Sequence, residues 1–345
     1  MEASSYEKLF DKINKKTDIY ESVVLVESGS SDFSFSKRYA GKEVNAPIVA
    51  ASITKMFTAA CILKLMNEGI ISLDDKLSKF YEVSDIEGLH TYKKKDFTGE
   101  ITLSDLLFQT SGLADFYEEG KNCIKKQVIK KDIFLSFKQK LDLTKELPAH
   151  FVPHSKKRAH YADINYDLLG DIIEKVTNKP LTEVFRTFIF EPLEMAHTYL
   201  PTSKEEYIPE IYVKNQKIHR PQFVISSGAS GGVISTTRDL MTFMKAYFSG
   251  KFIDKKRLEQ MGKSRKLQLT MTPIQYAGGY MQISVEQMAI LGKGMGSLIG
   301  HSGSTGSYAF YLPSKDLYFC GDFNQVANPA LPIRFVMQMA MISSK

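Results

Sequence analysis

One run of sequence limits the fold more than any other. In PIVAASITKMFTAACILKLMNEG, Met56, Phe57, Ala59, Ala60, Ile62, Leu63 and Met66 make a helix apolar on most of its sides. Such a helix must be surrounded by protein. It nevertheless carries Lys55 in its first turn, three residues after Ser52. A lysine inside a buried helix is costly unless it has partners or a shifted pKa. Residues three apart share a helix face, so the spacing brings an amine to a hydroxyl. A serine hydroxyl is a poor nucleophile until a neighbour takes its proton. A helix starting near Ser52 also points its positive end at an oxyanion forming there.

The rest of the chain is compatible with one large or two ordinary domains around such a helix. It has 345 residues, 43% hydrophobic and 24% charged, with a formal net charge of +6. The lysines are spread in short runs, at Lys93–Lys95, Lys125–Lys126, Lys130–Lys131 and Lys156–Arg158, and read as solvated surface. No aromatic–basic interleaving supports nucleic-acid binding. Cys61, Cys123 and Cys320 form no disulfide framework and no metal spacing. His150, His154 and His160 in HFVPHSKKRAH fit no standard metal site and read as solvated loop histidines. The N-terminus lacks an apolar signal segment, and no stretch approaches the ~20 apolar residues of a membrane helix. As written, the chain reads as cytoplasmic, without nucleic-acid or membrane partners and without a cofactor. A removed leader would leave the same pattern, and the oligomeric state is open.

Along the chain, Tyr6, Leu9, Phe10 and Ile13 predict an amphipathic helix. ESVVLVES and SDFSFSKRYAG predict two strands around a Gly-Ser turn. Thr102 with Asp105 forms a capping-box pattern. DINYDLLGDIIEKVTN and LTEVFRTFIFEPLEM predict helices. SGASGGVIS is small and Gly-rich, and TTRDLMTFMKAYFSG follows as a helix. YAGGYMQISV, SLIGHSG, SYAFYLP and DLYFCGDFN predict strands, and PALPIRFVMQMAMI a closing helix. Strands at both ends with helices between predict an α/β (α+β) fold. In it, an antiparallel sheet is built from residues 1–65 and 180–345, and a mainly helical domain is inserted at 66–179, with the active site between them.

Two further motifs follow in order: Tyr161-Ala162-Asp163 before the Leu168 helix, and His301-Ser302-Gly303 on a late strand, followed by Ser304. With Ser52-x-x-Lys55, the chain resembles the serine β-lactamase and penicillin-binding-protein superfamily, in the branch of class C β-lactamases, esterases and D-stereospecific peptidases. ITLSDLLFQTSGLADF, INYDLLGDIIEKVTNKPL, IFEPLEMAHTYLP and GGVISTTRDLMTFM share in that resemblance, which spans roughly residues 20 to 340. The resemblance implies that Ser52 is the acylated nucleophile, that Lys55 helps deprotonate it, and that Tyr161 shuttles the proton. It places His301 at the basic position of the third motif and Gly303 where a substrate lies close. The amides of Ser52 and Ser304 would form the oxyanion hole.

The departures are chemical. Asp163 stands where the second motif commonly has Asn; a carboxylate accepts hydrogen bonds but cannot donate one to a substrate carbonyl. Beside Lys55 it favours the ammonium form, which would stabilise a Tyr161 phenolate. His301 replaces a lysine and is only partly charged near neutral pH. His154 stands where relatives place Gly after F-x-P. These changes point away from anionic β-lactams and towards small uncharged esters, amides or peptides. A β-lactamase or penicillin-binding protein, and a binding or regulatory member of the fold with little turnover, remain the alternatives.

Overall fold

A computed structural model describes residues 3–15, 18–121, 123–288 and 294–343. Its centre is an antiparallel sheet of eight strands. Across the sheet the order is Ser34–Tyr39, Ser22–Ser28, Leu317–Asp322, Ser307–Leu312, Ser297–Ser302, Met281–Ser284, Gln275–Tyr276 and Arg265–Lys266. The N-terminal hairpin therefore joins the last strand, with Val23 opposite Asp322 and Leu25 opposite Cys320. Ser307–Leu312 and Leu317–Asp322 are joined by a tight turn at Pro313–Lys315.

Leu317–Asp322 is buried along its whole length, and Ser22–Ser28 nearly so. Continuous burial instead of alternation means cover on both faces. The helices Ala3–Asn14 and Leu331–Ile342, packed on each other, and Thr237–Phe248 supply it. Tyr6, Phe10 and Ile13 are the buried face of the first helix, as their spacing predicts.

The helix Thr54–Asn67 is buried at every residue from Thr54 to Leu63. It packs against Asp163–Thr177 and Pro221–Gly231. Phe57 lies 4.1 Å from Phe243 and edge-on to Phe190, centroid to centroid 5.6 Å. The Asp163–Thr177 and Pro221–Gly231 helices touch so closely that a Cβ at Gly170 would lie 2.3 Å from that of Ala229.

One element differs from the sequence expectation: LTEVFRTFIFEPLEM is not one α-helix, because Leu181–Phe185 widens into a π turn over Arg186–Phe190. The small-residue run SSGASG, to which the sequence assigned no element, is the second half of the Pro221–Gly231 helix, kinked where Gly228 takes φ +43°. All three cysteines are buried and free. Among the described residues, no helix is long and apolar enough to cross a membrane.

Candidate active site

Ser52 sits in a single 3₁₀ turn, Ala51–Ile53, that runs directly into the buried helix. The turn is fixed from both sides. The preceding pair Ile48–Val49 is hydrogen-bonded to Ile234–Ser235, and the Ala50 amide donates to the Val233 carbonyl at 2.9 Å. Ala51 adopts φ +46°, an unfavourable conformation for a residue with a side chain, immediately before the serine.

Lys55 is fully buried and spends its three protons on three acceptors. Its Nζ donates to Asp163 Oδ1 at 2.6 Å, to the Ser230 carbonyl at 2.7 Å and to Ser52 Oγ at 3.3 Å. The ammonium is thus paired and hydrogen-bonded, which is the condition for burying a charge. Behind it, Ser230 Oγ donates to Asp167, which is paired with Lys140 at 2.7 Å, so a second buried ion pair supports the carbonyl that Lys55 uses.

The segment Tyr161–Asp163 is held by side chains that take its backbone amides one by one. Gln268 Oε1 accepts from Tyr161, Gln109 Oε1 from Ala162 and Asp115 Oδ1 from Asp163, at 3.0, 3.1 and 3.2 Å. Gln109 itself sits at φ +59° and also accepts from Asn165. The Tyr161 hydroxyl is buried, and among the described residues no hydrogen bond of regular geometry reaches it. Burial first, and the Asp163 carboxylate second, push its pKa well above the ordinary phenol value, while the Ser52 hydroxyl pulls it down. That shift favours the phenol over the phenolate at rest. The Asp115 pKa is likewise pushed well above the ordinary carboxylate range, by burial and then by the neighbouring charge of Asp163.

The third motif closes the site. Thr305 Oγ1 donates to the Val49 carbonyl and Ser307 Oγ to the Ala50 carbonyl, each at 2.9 Å, which stitches the 303–307 turn to the residues before Ser52. Gly303 is favoured there by packing: a Cβ would fall 2.1 Å from Ser307 Oγ and 2.6 Å from the Ala50 carbonyl oxygen. His301 is fully buried. Its Nδ1–H donates to the Ser302 carbonyl at 2.8 Å, and Nε2 lies 3.5 Å from the Tyr276 hydroxyl. Burial, then the charge of Lys55, lower its pKa to about 3. It is neutral at physiological pH, where partial charge was expected.

Ser52, Tyr161, Asp163, Gly303 and Ser304 line one pocket of about 850 Å³, with Lys55 beneath its floor and His301 behind the wall. Its outer walls are apolar at Met271, Ile274 and Ile333 and acidic at Glu118 and Glu119. The loop histidines divide. His154 takes φ +65°, the conformation a glycine prefers, and pairs with Asp105 at 2.8 Å. His160 is buried and not solvated as expected, stacked on His150 with ring centroids 3.6 Å apart. Gln109, Asp115, Ser230 and Gln268 were not singled out from the sequence. The only trace of them was that Gln109 and Asp115 lie in a stretch resembling relatives, and Ser230 in the small-residue run.

Known proteins resemble the chain in sequence and in fold. The chain is 28% identical over 242 residues to Protein flp of Staphylococcus aureus (strain COL), covering 65% of this chain and 44% of that protein. It is 27% identical over 210 residues to the D-alanyl-D-alanine-carboxypeptidase/endopeptidase AmpH of Escherichia coli (strain K12), covering 61% and 51%. The chain thus spans about half the length of these curated relatives. A D-stereospecific amidohydrolase from Streptomyces sp. superposes with a TM-score of 0.75 at 23% identity, over 95% of both chains. The family model described as Beta-lactamase matches residues 37–332, and with most of its length inside that match the chain belongs to the Beta-lactamase family.

Proposed function

We propose that the protein is a serine hydrolase that forms an acyl-enzyme on small uncharged esters or amides, of esterase or D-amino-acid-peptidase type. The observation that carries this is the contact of Lys55 Nζ with Ser52 Oγ at 3.3 Å, at a pocket wall shared with Tyr161. Ser52 Oγ bonds to the substrate carbonyl carbon, and the amides of Ser52 and Ser304 receive the oxyanion. The Ser52 proton moves to the Tyr161 oxygen as the phenol's own proton passes to the leaving group. A hydroxyl is both donor and acceptor, so this relay needs no phenolate. The Lys55 ammonium, paired with Asp163, steadies the negative charge growing on Ser52 Oγ. Water then takes the leaving group's place and the relay runs backwards, releasing the acid.

The amide side of this reading is supported by the likeness to a carboxypeptidase/endopeptidase and a D-stereospecific amidohydrolase. Against β-lactams stand Asp163, which can only accept, and His301, which is neutral and out of reach of a substrate carboxylate. The test is covalent labelling with a fluorophosphonate probe, alongside turnover of p-nitrophenyl esters, D-amino-acid amides and nitrocefin. We expect labelling that disappears in Ser52→Ala, and ester or amide turnover well above that of nitrocefin. Efficient nitrocefin hydrolysis would restore the β-lactamase reading. A wild-type chain that takes no label and turns over nothing would leave only the binding role.

A further inference from the structure

The rim of the same pocket carries a cluster that the hydrolytic reading leaves idle. His150 Nε2 lies 2.8 Å from Glu119 Oε2, and His160 Nε2 lies 2.6 Å from Glu119 Oε1. The two imidazoles stack at 3.6 Å with planes 24° apart, and the three ligand atoms all lie within 4.8 Å of one another. The backbone under each is anchored. The Glu119 amide donates to the Asp115 carbonyl, that of His150 to Gly112 and that of His160 to Gln109, each at 2.8 Å. Glu119 Oε1 also accepts from the Asp115 amide at 2.9 Å.

The two stacked imidazoles and the Glu119 carboxylate offer a donor set of two nitrogens and one oxygen. That is the composition of three-ligand zinc sites, which keep a fourth position for water or another ligand. Metal–ligand bonds of about 2.0–2.2 Å need donors no more than about 4.4 Å apart. Small side-chain movements therefore suffice, since Glu119 and His150 are only partly covered.

We propose that Glu119, His150 and His160 bind a divalent transition-metal ion, zinc first, at the rim of the active-site pocket. The ion would tie the Glu119 turn to the 150–160 segment that ends at Tyr161. Zinc, rather than magnesium or calcium, follows from the two imidazole donors, which the hard oxygen-seeking cations do not favour. The buried cysteines offer no competing thiol at the surface. The site does not depend on the proposed hydrolysis, and binding can be read without activity.

Chelator-stripped, tag-free protein should be titrated with Zn²⁺ by calorimetry, and with Co²⁺ in the visible spectrum. The expected result is one ion per chain with Kd of about 1 µM or tighter, and cobalt ligand-field bands of low-symmetry nitrogen–oxygen coordination. Glu119→Gln and His150→Gln, both at partly exposed positions and checked for unchanged circular dichroism, should each weaken binding at least ~10-fold. Zinc should raise the melting temperature of the wild type and not of His150→Gln. No stoichiometric binding tighter than ~100 µM, or binding unchanged in the Glu119→Gln/His150→Gln double variant, would overturn the site.

Discussion

A phenol that keeps its proton can still move one, provided it has a donor on one side and an acceptor on the other. In the proposed relay Ser52 is that donor and the leaving group that acceptor for Tyr161, whose ionisation is pushed above the ordinary value of about 10 by burial and by Asp163. Tyr161→Phe keeps the ring against Tyr276 and removes the relay. We expect kcat to fall ~100- to 10,000-fold on any hydrolysed ester, with the melting temperature little changed. The wild-type kcat/KM should be flat from about pH 7 to 9. A tenfold rise per pH unit in that window would mean that the phenolate is the working form. At this scale the sequence names the residues better than their setting. The contact of Ser52 with Lys55 follows from helix spacing, the resemblance singles out Tyr161 and Asp163 to join them, and the paired lysine is where the buried helix requires it. Gln109, Asp115 and Gln268 do not follow, because a side chain that accepts one distant backbone amide leaves no periodicity to read. His301 is recognisable as a motif residue, but its neutrality depends on burial beside Lys55, which spacing alone cannot supply.

Among the elements, the 303–307 turn ties the sheet to the nucleophile, since its hydroxyls hold the carbonyls of Val49 and Ala50. Gly303→Ala tests that tie. The added methyl would meet the Ala50 carbonyl oxygen, which cannot step aside without moving Ala51 and Ser52. We expect a stability loss of about 1–3 kcal/mol in urea unfolding, and a drop in kcat larger than any change in KM. Unchanged stability and turnover would show that the turn is not rigidly docked. Six of the eight strands of this sheet were legible from short apolar runs separated by turn residues; the two-residue strands Gln275–Tyr276 and Arg265–Lys266 are too short to leave such a run. The second half of Pro221–Gly231 was not. A run of Ser, Gly and Ala has low helix propensity, yet small residues are what allow a Gly170–Ala229 contact, so tertiary packing overrides the local preference. The π turn at Arg186–Phe190 is hidden for a related reason: its apolar spacing is nearly that of an α-helix.

For the whole molecule, His301 couples stability to acidity. Its folded pKa of about 3 lies below the unfolded value of about 6.5, so between those limits the unfolded chain holds the extra proton. Its contribution is complete above about pH 6.5 and is lost as the pH falls towards 3. From pH 7 to 5 the loss is about 2 kcal/mol. Asp115, whose pKa is raised in the folded state, acts with the opposite sign, so the measurement is a difference between chains. Urea unfolding of wild type and His301→Asn at pH 7 and 5 should show the wild type losing about 2 kcal/mol more. Equal losses would mean that His301 titrates normally in the fold. The sheet of both chain ends was legible as a pattern of strands, and its order carries a cost during synthesis. Val23 pairs with Asp322, and Lys42 meets the same aspartate across 280 residues of sequence. At ~5–20 residues per second, a ribosome needs roughly a quarter of a minute to a minute to deliver that partner. Throughout that interval Ser22–Ser28, with its Val-Val-Leu-Val run, has an open edge of the kind that seeds aggregation. The newborn N-terminal hairpin is therefore where a chaperone's protection matters most.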